Sequence, residues 1–273
     1  MYRRVLTMQD ISCVGQCSTT VALPILSACG LEACILPTAL LSTHTGGFGK
    51  PAVVHFDGAL TEIWHHWQEN GITFDAILVG YLGSLAAVKA AGEIIDRLLA
   101  PGGVAIVDPA MADNGKLYSG FDEDYVRAIG SLAGKADIIL PNVTEAAILS
   151  GLPYQENIDR NYVNQLLNGL NHPCAVLTGV DFDEDSTGIV LQEGTVQHEY
   201  RHKRIGNGCH GTGDIFAAVF TGALMQGKNR LDAAKIAADF TCRCIKNTVN
   251  APAHWYGVKF EPLLPELMEM PGR

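Results

Sequence analysis

Short, nearly unbroken apolar runs recur along this chain and alternate with longer stretches of helical spacing. That alternation narrows the fold more than any other feature. The runs are Val5–Met8, Ala33–Leu36, Ala76–Val79, Val104–Val107, Asp137–Leu140, Ala175–Thr178 and Gly188–Leu191. Most are continuous, as expected of parallel strands covered on both faces. Between them, Ser18 is placed to cap a helix that ends at Gly30, and Asp57 to cap one carrying Leu60, Ile63, Trp64 and Trp67 toward Gly71. Ser84 is placed to cap a helix carrying Leu85, Val88, Ile95, Leu98 and Leu99, and Val163, Leu166, Leu167 and Leu170 mark another. Strand–helix alternation of this kind implies right-handed βαβ crossovers and an α/β sandwich. Ligands of such sheets sit beyond the carboxyl ends of the strands, near a switch in strand order.

The sharpest local signal is Gly206-Asn207-Gly208-Cys209-His210-Gly211-Thr212-Gly213-Asp214, which runs into a helix with Phe216, Val219, Phe220, Ala223 and Leu224 on one face and Gly227 at its close. Glycines let the backbone approach a ligand, and a helix N-terminus aims free N–H groups at it. The arrangement suits a phosphoryl group in transfer. Asp214, in the first helical turn, is placed to accept a proton from a substrate hydroxyl. Its plainer role is a helix-start aspartate favoured by the dipole. Three strands end in polar residues at the same sheet edge: Asp108 after Val107, Asn142 and Glu145 after Leu140, and Thr178 after Leu177. Asp108, Asn142 and Glu145 are candidates to hold Mg²⁺, partly through waters because Mg²⁺ dehydrates reluctantly. The plainer alternatives are a helix-start carboxylate for Glu145 and a turn residue for Asn142.

The formal net charge of −10 offers no counterion-release affinity for nucleic acid. The run Arg201-His202-Lys203-Arg204 reads as a solvated strand end, or else as charge near a phosphate. Nothing resembles a linker or a repeat, so residues 1–273 are expected to form one domain. The first apolar run is too short for a signal peptide, and no stretch approaches the ~20 apolar residues of a membrane helix. A cytoplasmic location is expected. None of the eight cysteines forms a C-x-x-C pair, and buried, reduced thiols are the expectation.

Gly211-Thr212-Gly213-Asp214 resembles the anion-hole and catalytic-base signature of ribokinase-like kinases, and Asp137 to Glu145 looks like their Asn-x-x-Glu magnesium motif. Ser42-Thr43-His44-Thr45-Gly46-Gly47-Phe48-Gly49, Gly80-Tyr81-Leu82-Gly83-Ser84 and Asp108-Pro109-Ala110-Met111 are similar to the pyridoxal kinase branch in particular. The likeness extends from Val5 to about Asn247. It implies a three-layer α/β/α sandwich with a mostly parallel central sheet, and ATP-dependent phosphorylation of a vitamin B6 vitamer at its hydroxymethyl group. Asp214 would be the base, with Gly211, Thr212 and Gly213 as the anion hole. Asp108, Asn142 and Glu145 would serve Mg-ATP, with Tyr118 and Thr178 near the nucleotide. His44, Thr45, Gly46 and Tyr81 would surround the pyridine ring. A homodimer is implied; a K⁺ requirement and the role of Cys209 stay open. The chain departs from the branch at Gln9-Asp10, where Gln-Ser is usual. A carboxylate there would favour a protonated ring nitrogen, a hydroxyl or an amine of the substrate, so Asp10 joins the candidate substrate residues. Hydroxymethylpyrimidine kinases share the fold but usually have Cys in place of Asp214. Sugar and nucleoside kinases lack a match to Ser42–Gly49. A vitamer-binding protein without activity would not need Asp214, Asn142 and Glu145.

Overall fold

Each apolar run read from the sequence becomes a strand in the computed structural model, which describes residues 2–269 except Phe182, Glu184, Asn207 and Gly208. In chain order the elements are β1 (Arg4–Ser12), α1 (Thr19–Ala28), β2 (Glu32–Leu41), β3 (Val53–His55), α2 (Asp57–Glu69), β4 (Phe74–Val79), α3 (Leu85–Leu98) and β5 (Leu99–Val107). A small ribbon of β6 (Ala112–Asp113) and β7 (Lys116–Leu117) follows, then α4 (Glu123–Ala133), β8 (Ile138–Ile139), α5 (Val143–Ser150) and α6 (Arg160–Leu170). The chain closes with β9 (Cys174–Asp181), β10 (Ser186–Glu193), β11 (Val196–Lys203), α7 (Thr212–Met225), α8 (Arg230–Thr248) and α9 (Leu264–Met268).

Among the described residues, nine strands make one sheet in the order β11-β10-β9-β8-β5-β4-β1-β2-β3. Neighbours from β2 across to β9 are parallel, while β3, β10 and β11 are antiparallel edges. The chain steps from β1 outward to β2 and β3, then returns to β4 on the other side of β1. The order therefore reverses between β1 and β4, and the crevice for a ligand opens at their carboxyl ends.

Alternate residues of β1 feed two cores. Leu6 and Met8 pack with Leu60, Trp64, Val88 and Ile94 of α2 and α3, and Val5 packs with Val21, Ile25, Phe216 and Phe220 of α1 and α7. Helix α7 is buried on nearly every side rather than on the one face its spacing suggests, with Leu224 only partly buried. It lies under α8, so it has little solvent face to keep polar.

Several boundaries differ from the sequence reading. Ser84 caps α3 through the Ala87 N–H, 3.1 Å away, as expected. Asp57 does not cap α2 but stands inside its first turn and accepts the Ser84 hydroxyl at 2.6 Å, tying two helix starts together. Ser18 precedes α1 but makes no capping bond with its side chain. Leu99 opens β5 instead of closing α3, and Leu85 is exposed. Strand β11 went unread because its alternating residues are mostly polar. The basic run does end that strand, where Arg201 pairs with Glu199 and Asp183, and Arg204 with Asp181. None of the eight cysteines is in a disulfide, yet Cys13 is exposed and Cys17, Cys34 and Cys209 are only partly buried, so burial holds for the other four. No described helix is long and apolar enough to cross a membrane.

Candidate active site

The reversal in strand order joins Asp10 to Tyr81. The Asp10 N–H donates to the Tyr81 carbonyl at 3.1 Å, bridging the ends of β1 and β4. The Asp10 side chain is buried and accepts the Ser12 hydroxyl at 2.9 Å. Burial raises its pKa, with the Ser18 and Ser12 hydroxyls pulling in the opposite direction. Tyr81 is pushed up to about 12 by burial and then by the Asp10 charge. Ser18 pairs with Ile11 across the turn after β1, and its backbone holds φ 55°, ψ −130°. That is a conformation only glycine adopts easily.

The start of α7 faces this crevice. Gly211 lies in the left-handed region at φ 84°, and a Cβ there would come 1.9 Å from the Gln16 carbonyl oxygen. Only glycine fits. A Cβ on Gly213 would lie 3.9 Å from Asp108 Oδ2, so the first turn of α7 stands beside the end of β5. The Thr212 hydroxyl donates to the Cys209 carbonyl at 3.3 Å. Asp214 retains some exposed surface, yet protein atoms crowd its carboxyl group. Burial pushes it up to about 7, the Ser18 N–H pulls it down, and the Asp10 charge adds to the rise. Asn207 and Gly208, part of the glycine-rich stretch, lie outside the described residues.

Beyond Asp108, the residues read as a metal set are partly committed to the protein. Asn142 Oδ1 accepts the Glu145 N–H, and Glu145 Oε2 accepts the Asn142 N–H, both at 2.9 Å, closing a capping box at the start of α5. Glu145 Oε1 takes the Met111 N–H at 3.1 Å and Asn142 Nδ2 reaches the Ala112 carbonyl at 2.8 Å. Glu145 thus takes its plainer role as a helix-start carboxylate, while Asn142, read alternatively as a turn residue, is the N-cap of α5. Among the described residues no group of three or more His, Cys, Asp and Glu side chains is arranged to hold a metal. The Asp108 carboxylate accepts no hydrogen bond among them. Its pKa is raised by burial and then by the charges of Glu145 and Asp214. Asp108 thus brings a carboxylate without a hydrogen-bond donor close to the negative charge of Glu145 and Asp214.

Thr178 on β9 bridges to Asn142, and its N–H bonds to the Pro141 carbonyl at 2.9 Å. Tyr118 has a pKa raised by burial and by the Glu145, Asp113 and Asp108 charges, which places it at the acidic end. Its ring also stands 6.5 Å from that of Tyr81. The residues expected around the nucleotide and around the substrate ring thus adjoin. In the Ser42–Gly49 loop, Thr45 is exposed but His44 is buried. His44 Nε2 lies 2.6 Å from the Tyr256 carbonyl, and Nδ1 accepts the Gly46 N–H at 3.0 Å. Both ring nitrogens face backbone, so a place for His44 around the substrate ring, as the resemblance implied, would rest on its ring face or on the loop it holds.

Residues 23–258 match the phosphomethylpyrimidine kinase profile. The chain belongs to the phosphomethylpyrimidine kinase family. Members of known structure superpose on it over nearly their whole length. The pyridoxal kinase of Lactobacillus plantarum is 35% identical, with a TM-score of 0.89 over 98% of this chain and 97% of that one. A Bacteroides thetaiotaomicron protein, provisionally assigned as a phosphomethylpyrimidine kinase and crystallised with pyridoxal, is 30% identical, with a TM-score of 0.92 over 100% and 99%. The pyridoxine/pyridoxal/pyridoxamine kinase of Bordetella avium is 29% identical over 89% of this chain and 85% of its own.

In this member of the phosphomethylpyrimidine kinase family, sequence reasoning took Ser18 only as a helix cap and passed over Phe121 and Tyr125. Tyr81 and Phe121 rings are 5.5 Å apart, and Phe121 stacks on Tyr125 at 3.8 Å, extending an aromatic wall from the crevice. The aromatics Tyr118, Phe121 and Tyr125 recur at intervals of three and four residues, although only Tyr125 lies inside α4. For the backbone of Ser18 there was no such signal, because a serine gives no hint of positive φ.

Proposed function

We propose that this phosphomethylpyrimidine kinase family member transfers the γ-phosphoryl group of ATP to the hydroxymethyl oxygen of a B6 vitamer. The observation that carries the reading is Asp214 at the start of α7, with Asp108 beside it across Gly213 and Asp10 and Tyr81 on the crevice side. Asp214 would take the hydroxymethyl proton as that oxygen bonds to the γ-phosphorus and the bond to the β–γ bridging oxygen breaks. ADP leaves, and the N–H groups at Gly211, Thr212 and Gly213 would take up the negative charge of the group in flight. Asp108, with Asn142 and Glu145 through waters, would hold Mg²⁺, which supplies charge neutralisation at the phosphates. Tyr118 and Thr178 would border the nucleotide, and Asp10, Thr45, Gly46 and Tyr81 the vitamer, whose flat ring suits packing on Tyr81. His44 acts through the loop backbone. The reading includes a cytoplasmic homodimer.

A second reading, hydroxymethylpyrimidine kinase, is favoured by the family profile itself. Asp214 and the likeness to a pyridoxal kinase over nearly the full length weigh for the vitamer. Steady-state assays with pyridoxal, pyridoxine, pyridoxamine and hydroxymethylpyrimidine, with Mg-ATP and with or without K⁺, decide the matter. We expect ADP release dependent on a vitamer. Turnover with hydroxymethylpyrimidine alone would establish the second reading, and no turnover with any of the four would leave a binding protein.

A further inference from the structure

Segments far apart in sequence converge on the loop that carries Thr45. His44 is the hub. Its ring is 5.0 Å from Phe48 and 4.9 Å from His210. It seats against Gly15, where a Cβ would come 2.1 Å from the ring. Phe48 in turn lies 4.7 Å from Trp255 and 6.0 Å from Tyr256. A Cβ on Gly47 would strike Trp255 at 2.6 Å. The C-terminal segment is itself pinned to the turn after β1, because His254 Nε2 meets Gln16 Oε1 at 2.7 Å. The backbone oxygen of the same Gln16 is the atom that requires glycine at position 211.

A loop with glycines at 46, 47 and 49, two of them at positive φ, has little conformational preference of its own. Ordering it costs backbone entropy, so its shape depends on contacts from outside. The Tyr256 carbonyl can only accept, so it fixes the His44 proton on Nε2 and leaves Nδ1 as acceptor for the Gly46 N–H. The chain of dependence runs from residue 256, through the His44 tautomer, to the backbone that flanks Thr45.

We infer that the segment His254–Gly257 is a positioning element for the vitamer subsite, clasping the Thr45–Phe48 loop in its ligand-facing shape through Trp255 and the Tyr256 carbonyl. The inference rests on the reading that this loop borders the vitamer. Trp255 is 51% exposed, so its removal should leave the core intact.

Two measurements on Trp255→Ala and Trp255→Phe test the clasp. The first is hydrogen exchange in peptides covering residues 42–49. We expect faster exchange in Trp255→Ala and recovery in Trp255→Phe. The second is steady-state kinetics. The vitamer KM should rise about threefold to tenfold in Trp255→Ala, the scale of one lost aromatic pair, with recovery in Trp255→Phe. The ATP KM should stay within about twofold, since the proposed contact is to the vitamer side only. Unchanged exchange overturns the clasp. So does faster exchange with an unchanged vitamer KM, or an equal rise in both KM values. Were the unmodified enzyme inactive on every vitamer, the proposed function would fail, while the exchange data would still decide whether Trp255 holds the loop.

Discussion

Asp214 is subject to opposite demands. With a pKa near 7, it is ionised over a large fraction of molecules at neutral pH and still basic enough to take a proton. Turnover should rise with pH through that value, and Asp214→Asn should lower it about 10²–10⁴-fold in steady-state assays. Near-normal turnover in the variant would reduce Asp214 to a helix-start residue. Stability runs the other way. An unfolded aspartate ionises at about 4. Native Asp214 keeps its proton up to about 7. Between those values the native state binds more protons, so stability falls as pH rises. The Tm advantage of Asp214→Asn over the unmodified protein should therefore grow between about pH 4 and about pH 7, by a few degrees, and level off above that. An advantage that does not change with pH would contradict this. Asp10 makes a separate claim. An ionised carboxylate accepts but does not donate, so it should favour pyridoxamine over pyridoxal by roughly tenfold to hundredfold in kcat/KM. Burial raises the Asp10 pKa, so the preference should fade as pH falls. If Asp10→Ser leaves the ratio of the two kcat/KM values unmoved, Asp10 serves only the turn through Ser12. Both aspartates could be picked out as candidates from the sequence because strand and helix ends are where such folds put chemistry. Ser18, which touches both, could not be, because its backbone conformation leaves no mark in residue type.

At the scale of elements, the strands covered on both faces were legible because they must be apolar throughout. The edge strand β11 answers to solvent and carries a polar sequence instead. The start of α5 shows a different limit. One pair of residues, Asn142 and Glu145, satisfies two descriptions at once, a capping box and a metal motif, and sequence spacing is the same for both. The structure commits the Glu145 oxygens to N–H groups of Asn142 and Met111. Gln at this position keeps one acceptor oxygen and brings an amide donor toward an N–H. Glu145→Gln should thus destabilise the protein by about 1–3 kcal/mol, the cost of a buried donor left unpaired. It should also shift the Mg²⁺ dependence of turnover while sparing vitamer binding. An unchanged Tm would mean that the capping box carries no weight. A loss of vitamer affinity, with no change in Mg²⁺ dependence, would remove Glu145 from the nucleotide side.

For the whole molecule, the two cores are separated by one strand thickness, and residues of the same strand feed both. Val5 belongs to the layer of α1 and α7, while Leu6 and Met8 belong to the layer of α2 and α3. Strands that share a backbone cannot lose one layer and keep the other in place, so we propose that the chain unfolds as one unit. Phe220 on α7 is fully buried, and Trp64 on α2 lies in the opposite core at 6% exposure. Phe220→Ala should cost about 3–5 kcal/mol through lost contact and the cavity left behind. A Trp67→Phe, Trp255→Phe background makes Trp64 the only tryptophan. In that background, denaturant unfolding followed by Trp64 fluorescence and by far-ultraviolet circular dichroism should give coincident transitions. Phe220→Ala should move both by the same amount, although the substitution is made on the face that Trp64 does not touch. If the circular dichroism transition shifts or splits while Trp64 fluorescence holds its midpoint, the two layers are separate folding units.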